Sequence, residues 1–315
     1  MTDQLRLRCF PDQPPAHLPY GFQGHLYRGK VYPPFIEGLA TDTLARVWQT
    51  NGQDTLICSH QKVGTHLVKR FLVELLAAVG GFSPSHPCHS RDLGHGAVPW
   101  PEVLYSQSGP GGWEDHLQTL GEGPRLWYTH CCFEDLPLQR IHPHTRFILV
   151  YRDPKDVVVS QYFFYRRHPL LGVNPDLTLE AFVDLFLAGA LYFGDYHHHV
   201  LGWLGQRGQA IAADRFLVLR YEDLVLDKLR SVDRIARFMV PGLSLNEASR
   251  DQIAHRTEFD VMKAELTRHP QSFHFRPENY FRSGRTHDWE NHLSPALAAS
   301  IDQKTRDLWA AVLDP

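Results

Sequence analysis

The sequence predicts an α/β fold: a single domain with a central parallel β-sheet flanked by helices, P-loop-like at its strand-to-helix turns. Three observations carry this expectation. Short apolar runs recur between turn residues, as expected of strands buried on both faces. Segments of helical periodicity separate them, and alternation of strands with helices argues for βαβ units. Two strand candidates also lead through a short cation-bearing turn into a helix, at Ser59-His-Gln-Lys-Val-Gly-Thr65 and at Tyr151-Arg-Asp-Pro-Lys-Asp-Val-Val-Val-Ser160.

Residues 1–45 are rich in proline and aromatic residues, including Pro14, Pro15, Tyr32, Pro33, Pro34 and Phe35, and read as an extended arm packed on the body. Asp54 to Ser59 is the first strand candidate. From Thr65 onward, Leu67, Val68, Phe71, Leu72, Leu75 and Leu76 fall on one helical face, and Gly80-Gly81 ends the helix. Residues 80–124 are dense in Gly, Pro, Ser and His and read as a long irregular insertion, a candidate lid. Leu126 to Thr129 is a second strand and Thr145 to Tyr151 a third. A helix follows from Pro154 to Arg166, with proline where its missing N–H costs nothing. Residues 178–204 read as a helix pair, Phe216 to Tyr221 as a fourth strand, and Asp227 to Phe238 as a helix.

At 315 residues and 43% hydrophobic content the chain can bury one large core. A net charge of -3 argues against a broad nucleic-acid surface. The mean hydropathy is -0.32, and no apolar run is long enough to cross a bilayer. The first residues lack the apolar stretch of a secretory signal. Five cysteines (Cys9, Cys58, Cys88, Cys131, Cys132) are too few and unpaired in number for a disulfide framework. A cytoplasmic, reducing environment is the expectation, with no membrane and no nucleic-acid partner.

The two loops carry the chemistry. Strand, tight turn and helix N-terminus is the geometry that holds phosphate-like anions through backbone N–H groups and the helix dipole. Lys62 offers a charge, Gly64 a close approach and Thr65 a hydroxyl. A Walker A loop needs Gly-Lys in that order, and here lysine precedes glycine, which disfavours an ordinary ATP or GTP site. In the second loop Arg152 suits a bidentate phosphate contact, with Ser160 two turns on. Alone, the first loop reads equally as a plain strand-to-helix turn, and the second reads more readily as a solvated helix start. Together they suit a ligand with two distinct anionic groups.

These residues resemble the cytosolic sulfotransferase family, whose donor is 3'-phosphoadenosine-5'-phosphosulfate (PAPS). The resemblance runs in order from about residue 45 to 290. By this resemblance the P-loop-like sulfotransferase fold is expected, and Lys62, Val63, Gly64, Thr65 and His66 hold the 5'-phosphosulfate. Arg152 and Ser160 hold the 3'-phosphate. Tyr221 of Tyr-Glu-Asp-Leu, with Thr257 and Phe259, lies at the adenine, and Arg282, Ser283 and Gly284 close over the 3'-phosphate. The helix of Gly194 and Trp203 is also similar. Departures are Gln61 for proline, His66 and Leu67 for a second threonine and the adenine-stacking tryptophan, and Ser283 for a lysine. The family's dimer segment is not recognisable around residues 290–300, so the oligomeric state stays open.

Trp127-Tyr-Thr-His130 resembles the family's Lys-Thr-His, with Tyr128 in place of the lysine. A lone strand-end histidine is more often a packed core residue; the resemblance makes His130 the general base, able to take a proton at neutral pH. The implied activity moves a sulfuryl group from PAPS to a hydroxyl or amine of a small-molecule acceptor. The product is adenosine 3',5'-bisphosphate (PAP), Lys62 steadies the departing phosphate, and no metal takes part. Phe164, Tyr32 and Cys131 are the expected acceptor-pocket residues. The alternative is a non-catalytic or atypical P-loop nucleotide-binding protein or phosphotransferase. His197-His-His199 cannot converge on a metal, because adjacent helical residues diverge, and His86, Cys88, His89 and His95 match no zinc spacing.

Overall fold

The computed structural model describes residues 19–82, 98–121, 123–171, 173–268 and 280–310. Its centre is a four-stranded parallel sheet of β3 (Thr55–Ser59), β4 (Leu126–Thr129), β5 (Arg146–Tyr151) and β6 (Phe216–Arg220), in the order β4-β3-β5-β6. A separate hairpin, β1 (His25–Tyr27) with β2 (Lys30–Tyr32), is antiparallel. It turns at Arg28 and Gly29, whose φ values of 48° and 75° match the twist that two-residue hairpins need.

Side chains alternate between the two faces of the sheet, as strand geometry demands. Ile57, Tyr128, Ile148, Val150, Leu217 and Leu219 join one apolar core. Leu56, Cys58, Trp127, Phe147, Leu149 and Phe216 join the other. The first core is covered by α2 (Thr65–Ala78), α4 (Pro154–Arg167), α5 (Leu179–Leu187), α8 (Lys228–Met239) and α9 (Glu247–Arg256). The second takes residues from α1 (Gly38–Val47), α3 (Pro101–Leu120) and α6 (Tyr196–Leu204). Further helices are the short α7 (Tyr221–Leu226), α10 (Phe259–Arg268) and α11 (Pro295–Trp309).

From β3 the chain passes through α2 to β4 on one side, then returns to β5 on the other. The order reverses there, so the loops after β3 and β5 diverge and leave a crevice at the carboxyl ends of the strands, where open α/β sheets bind ligands.

Two regional expectations are corrected. The stretch 80–124 is not irregular throughout: residues 101–120 form α3, broken only at Gly109 (φ 66°) and Pro110. Helix-breaking residues hide it in the sequence, but Tyr105, Trp113 and Leu120 are buried, and Trp113 lies 5.7 Å from Trp127. Burial of those rings outweighs poor local propensity. Residues 83–97, with the His86–His95 cluster, lie outside the described residues, as do 1–18. The described part of the arm, read as extended, folds as a hairpin leading into α1. Tyr221 opens α7 instead of ending β6.

Candidate active site

The crevice is a cavity of ≈ 290 Å³ with two ends. One end is cationic. Lys62 sits between β3 and α2 with φ 68°, beside Gly64 with φ 105°. A Cβ at Gly64 would lie 2.5 Å from Cδ2 of Tyr221, so only glycine lets that ring pack on the loop. No side chain caps α2 at Gly64, which leaves first-turn N–H groups for an anion. Thr65 Oγ1 and Ser59 Oγ are 2.9 Å apart. Burial, and then the charges of Arg152 and Arg282, push the Lys62 ammonium down to about 7.

Gln61, where the family has proline, braces the loop. Its Oε1 accepts from Tyr165 OH at 2.5 Å, and its carbonyl accepts from Gln161 Nε2 at 3.4 Å, both on α4. The loop is thus tied to the helix that carries Ser160.

Arg152 is buried at the end of β5. Its Nη2 donates to Arg285 O at 2.8 Å and pairs with Asp156 Oδ2 at 3.2 Å, and its guanidinium lies 4.2 Å over the Tyr221 ring. Asp156 also accepts from the backbone N–H groups of His287 and Trp289, which docks the late loop on α4. Arg282 from that loop is paired with Asp288. Among the described residues, Nε of Arg152 and Nε of Arg282 are buried without a hydrogen-bond partner, a costly arrangement unless an anion completes it. Gly284 has φ 68°, and a Cβ there would lie 2.1 Å from Cδ2 of Phe259. Thr257, Phe259, Tyr221, Ser160, His66 and Ser283 all line the cavity. Val63 does not: its side chain is fully buried in the core, and only its backbone belongs to the loop.

The other end is aromatic. His130 Nδ1 lies 2.6 Å from Ser59 O and therefore donates to it. That bond fixes the tautomer and leaves the lone pair on Nε2. Burial, opposed by this bond and aided by the charges of His60, Lys69 and Lys62, pushes His130 down to about 3, so the ring is neutral at ordinary pH. Around it, Trp100 meets His130 at 4.7 Å and Phe35 at 6.2 Å, Phe35 meets His168 at 6.0 Å, and His168 meets Phe164 at 5.1 Å. Phe164 lies under the Lys62 ammonium at 4.5 Å, which joins the two ends.

Phe164 lines the cavity, whereas Tyr32 and Cys131 do not. Tyr32 is fully buried behind it, edge-on to Phe193 at 5.3 Å, with its hydroxyl 3.8 Å from Cys131 Sγ. Cys131 follows His130 directly, and consecutive side chains on an extended chain diverge. Sequence reasoning missed Phe35, Trp100, Lys69 and Lys228, which line the cavity. Only Lys69 left a signal, a lone cation among the apolar positions of α2.

His197 packs on Trp309 at 5.1 Å and His199 on His60 at 5.3 Å, while the His198 side chain is 68% exposed, so the three point to different surroundings. Among the described residues, Cys132, Glu134 and Asp135 have metal-ligand spacing, but Lys30 Nζ donates to both carboxylates, at 2.9 and 2.7 Å.

An open parallel sheet thus carries a crevice with Lys62, Arg152 and Arg282 on one side and a buried neutral histidine on the other. The sulfotransferase domain family matches residues 52–311, and the chain belongs to that family: it is a sulfotransferase. It is 28% identical to cytosolic sulfotransferase 17 of Arabidopsis thaliana, covering 85% of this chain and 77% of that one. It is 28% identical to sulfotransferase 2A2 of Rattus norvegicus, covering 79% and 82%. Its fold matches a mouse sulfotransferase crystallised with PAP at a TM-score of 0.73 and 23% identity, covering 91% and 94%. A retinol dehydratase in complex with androsterone and PAP matches at 0.68 and 18%, covering 94% and 89%. No helix among the described residues is long and apolar enough to cross a membrane.

Proposed function

We propose that the chain transfers the sulfuryl group of PAPS to a hydroxyl or amine of a small apolar acceptor, with His130 as the general base. The observation that carries this reading is one cavity with Lys62, Arg152 and Arg282 at one end and a tautomer-fixed, neutral His130 at the other. The unpartnered Nε atoms of Arg152 and Arg282 and the uncapped start of α2 fit a donor with two anionic groups. In this reading Lys62 and the loop N–H groups hold the 5' end, and Arg152, Ser160, Arg282, Ser283 and Gly284 hold the 3'-phosphate. Tyr221, Thr257 and Phe259 hold the base. The donor supplies an activated sulfuryl group. Nε2 of His130 takes the acceptor's proton, and Lys62 and the α2 N–H groups meet the charge that grows on the departing phosphate. The reading assigns no role to a metal, since these cations already face that charge.

The aromatic end supports an apolar acceptor, as do the retinol and androsterone named in complexes of the retinol dehydratase. Relatives named cytosolic support a cytoplasmic site of action. The test is transfer from labelled PAPS across a panel of phenols, alcohols and amines. Turnover of apolar phenols or alcohols is expected. PAP binding without transfer to any acceptor would leave a donor-binding protein and overturn the reading.

A further inference from the structure

A buried carboxyl that the proposed reaction does not use stands beside the base. Glu102 is the second residue of α3 and is 3% exposed. Its Oε1 accepts from the Thr129 hydroxyl, and Thr129 Oγ1 accepts in turn from the Cys131 N–H at 3.0 Å. The hydroxyl therefore closes a short turn around His130, and Glu102 holds that hydroxyl from outside the strand. The sheet leaves this turn in need of a tie. β4 is an edge strand, and its register with β3 ends at the pair Cys58–Thr129, so His130 stands one residue beyond the ladder. The start of α3 is joined to β4 a second time, where the Tyr128 N–H donates to Pro99 O at 3.1 Å. Trp100, between the two ties in sequence, meets the His130 ring at 4.7 Å. Burial pushes the Glu102 carboxyl up, opposed by the neighbouring side chains of Cys131, Thr129 and Trp100.

We propose that Glu102 is a positioning residue for the general base: through Thr129 it fixes the strand end at which the His130 Nδ1–H meets Ser59 O, and so sets the tautomer that leaves the lone pair on Nε2. The part played by that tautomer in catalysis rests on the sulfuryl-transfer reading. Glu102 and Thr129 do not line the cavity, whereas Trp100, Tyr128 and His130 do. The carboxyl thus acts from behind the wall, through its neighbour. The 2.6 Å contact between Nδ1 and Ser59 O requires the strand end to stay in place, because a hydrogen bond weakens steeply as its geometry is lost. A strand end freed from its tie lets the ring turn, and the other tautomer carries its proton on Nε2, where the ring cannot serve as base. By anchoring the start of α3 to the same strand end, Glu102 also keeps Trp100 against the ring, so base and aromatic wall hold one arrangement.

The experiment reads the imidazole nitrogen NMR resonances of His130 in the PAP-saturated protein, assigned by their loss in His130→Ala, together with single-turnover transfer from PAPS. Wild type should show the ring proton on Nδ1. Glu102→Leu should show a mixture of tautomers, and transfer should fall by about tenfold to 10²-fold with PAP affinity unchanged. Glu102→Gln keeps an oxygen that accepts from Thr129 and should restore both readouts. Thr129→Val cuts the same link from its other end. Its loss should equal or exceed that of Glu102→Leu, and the double variant should lose no more than Thr129→Val alone. Thr129→Val also carries the test if Glu102→Leu does not fold. A His130 tautomer unchanged in the folded variants, or losses that multiply in the double variant, overturns the positioning role. The tautomer is read without turnover. A wild type that binds PAP and transfers to no acceptor therefore overturns the sulfuryl-transfer reading, and the spectra still decide whether Glu102 sets the His130 tautomer.

Discussion

The cationic end of the cavity is built from residues adjacent in sequence within loops, whereas the aromatic end is gathered from distant segments. Lys62, Gly64 and Thr65 form one turn, and Arg282, Ser283 and Gly284 another. Phe35, Trp100, His130, Phe164 and Tyr280 come from different elements and meet only in the folded chain. The first arrangement suits phosphate-like anions, since few backbone paths aim several N–H groups at one phosphate. The second is a matter of shape, which many sequences can supply. Substitutions at the two ends should therefore separate: donor affinity should change at one and acceptor affinity at the other.

The largest separation is expected at Arg152. Arg152→Ala removes a buried guanidinium from the proposed 3'-phosphate site and should weaken PAP binding by about 2 kcal/mol or more. Acceptor affinity measured by calorimetry should be little changed, and unaltered PAP affinity would break the comparison. Next is pH. Lys62 titrates near 7 in the protein, so its ammonium is already present below that pH and Lys62 adds no pH dependence to PAP affinity there. Above it the free amine is neutral, binding must take up a proton, and affinity should fall by up to about tenfold per pH unit. Calorimetry in buffers of different ionisation enthalpy at pH 6 and pH 8 would detect that uptake at pH 8 only. Lys62→Arg should flatten the profile. The smallest effect belongs to the aromatic wall: Trp100→Leu should raise the acceptor KM by about tenfold through lost contact and leave the donor KM alone. A matching change in donor KM would show that the two ends are not separable.

Legibility followed the same division. The four strands of the parallel sheet and the two strand-to-helix loops were readable, because buried parallel strands are continuous apolar runs and each loop carries a cation just before a helix. Helix α3 was not, because Gly109, Pro110, Gly111 and Gly112 mask a segment held by the burial of Trp113 and Leu120. Tyr32 and Cys131 lie outside the cavity: only the resemblance put Tyr32 there, and Cys131 beside His130 faces the other way. Trp100 and Phe35 lay in stretches read as loop and arm, with no periodicity to mark them. Gln61 is a departure from the family pattern in the sequence, and its bond with Tyr165 gives it a bracing role that the sequence could not reveal.

The most direct test of the account is single-turnover sulfuryl transfer by His130→Ala, with PAP affinity measured on the same sample. Transfer should fall by about 10²–10⁴-fold, the contribution of a positioned general base, while PAP binds as it does to the wild type. Transfer surviving within a few-fold, with PAP binding intact, would contradict the assignment of His130 as the group that takes the acceptor's proton.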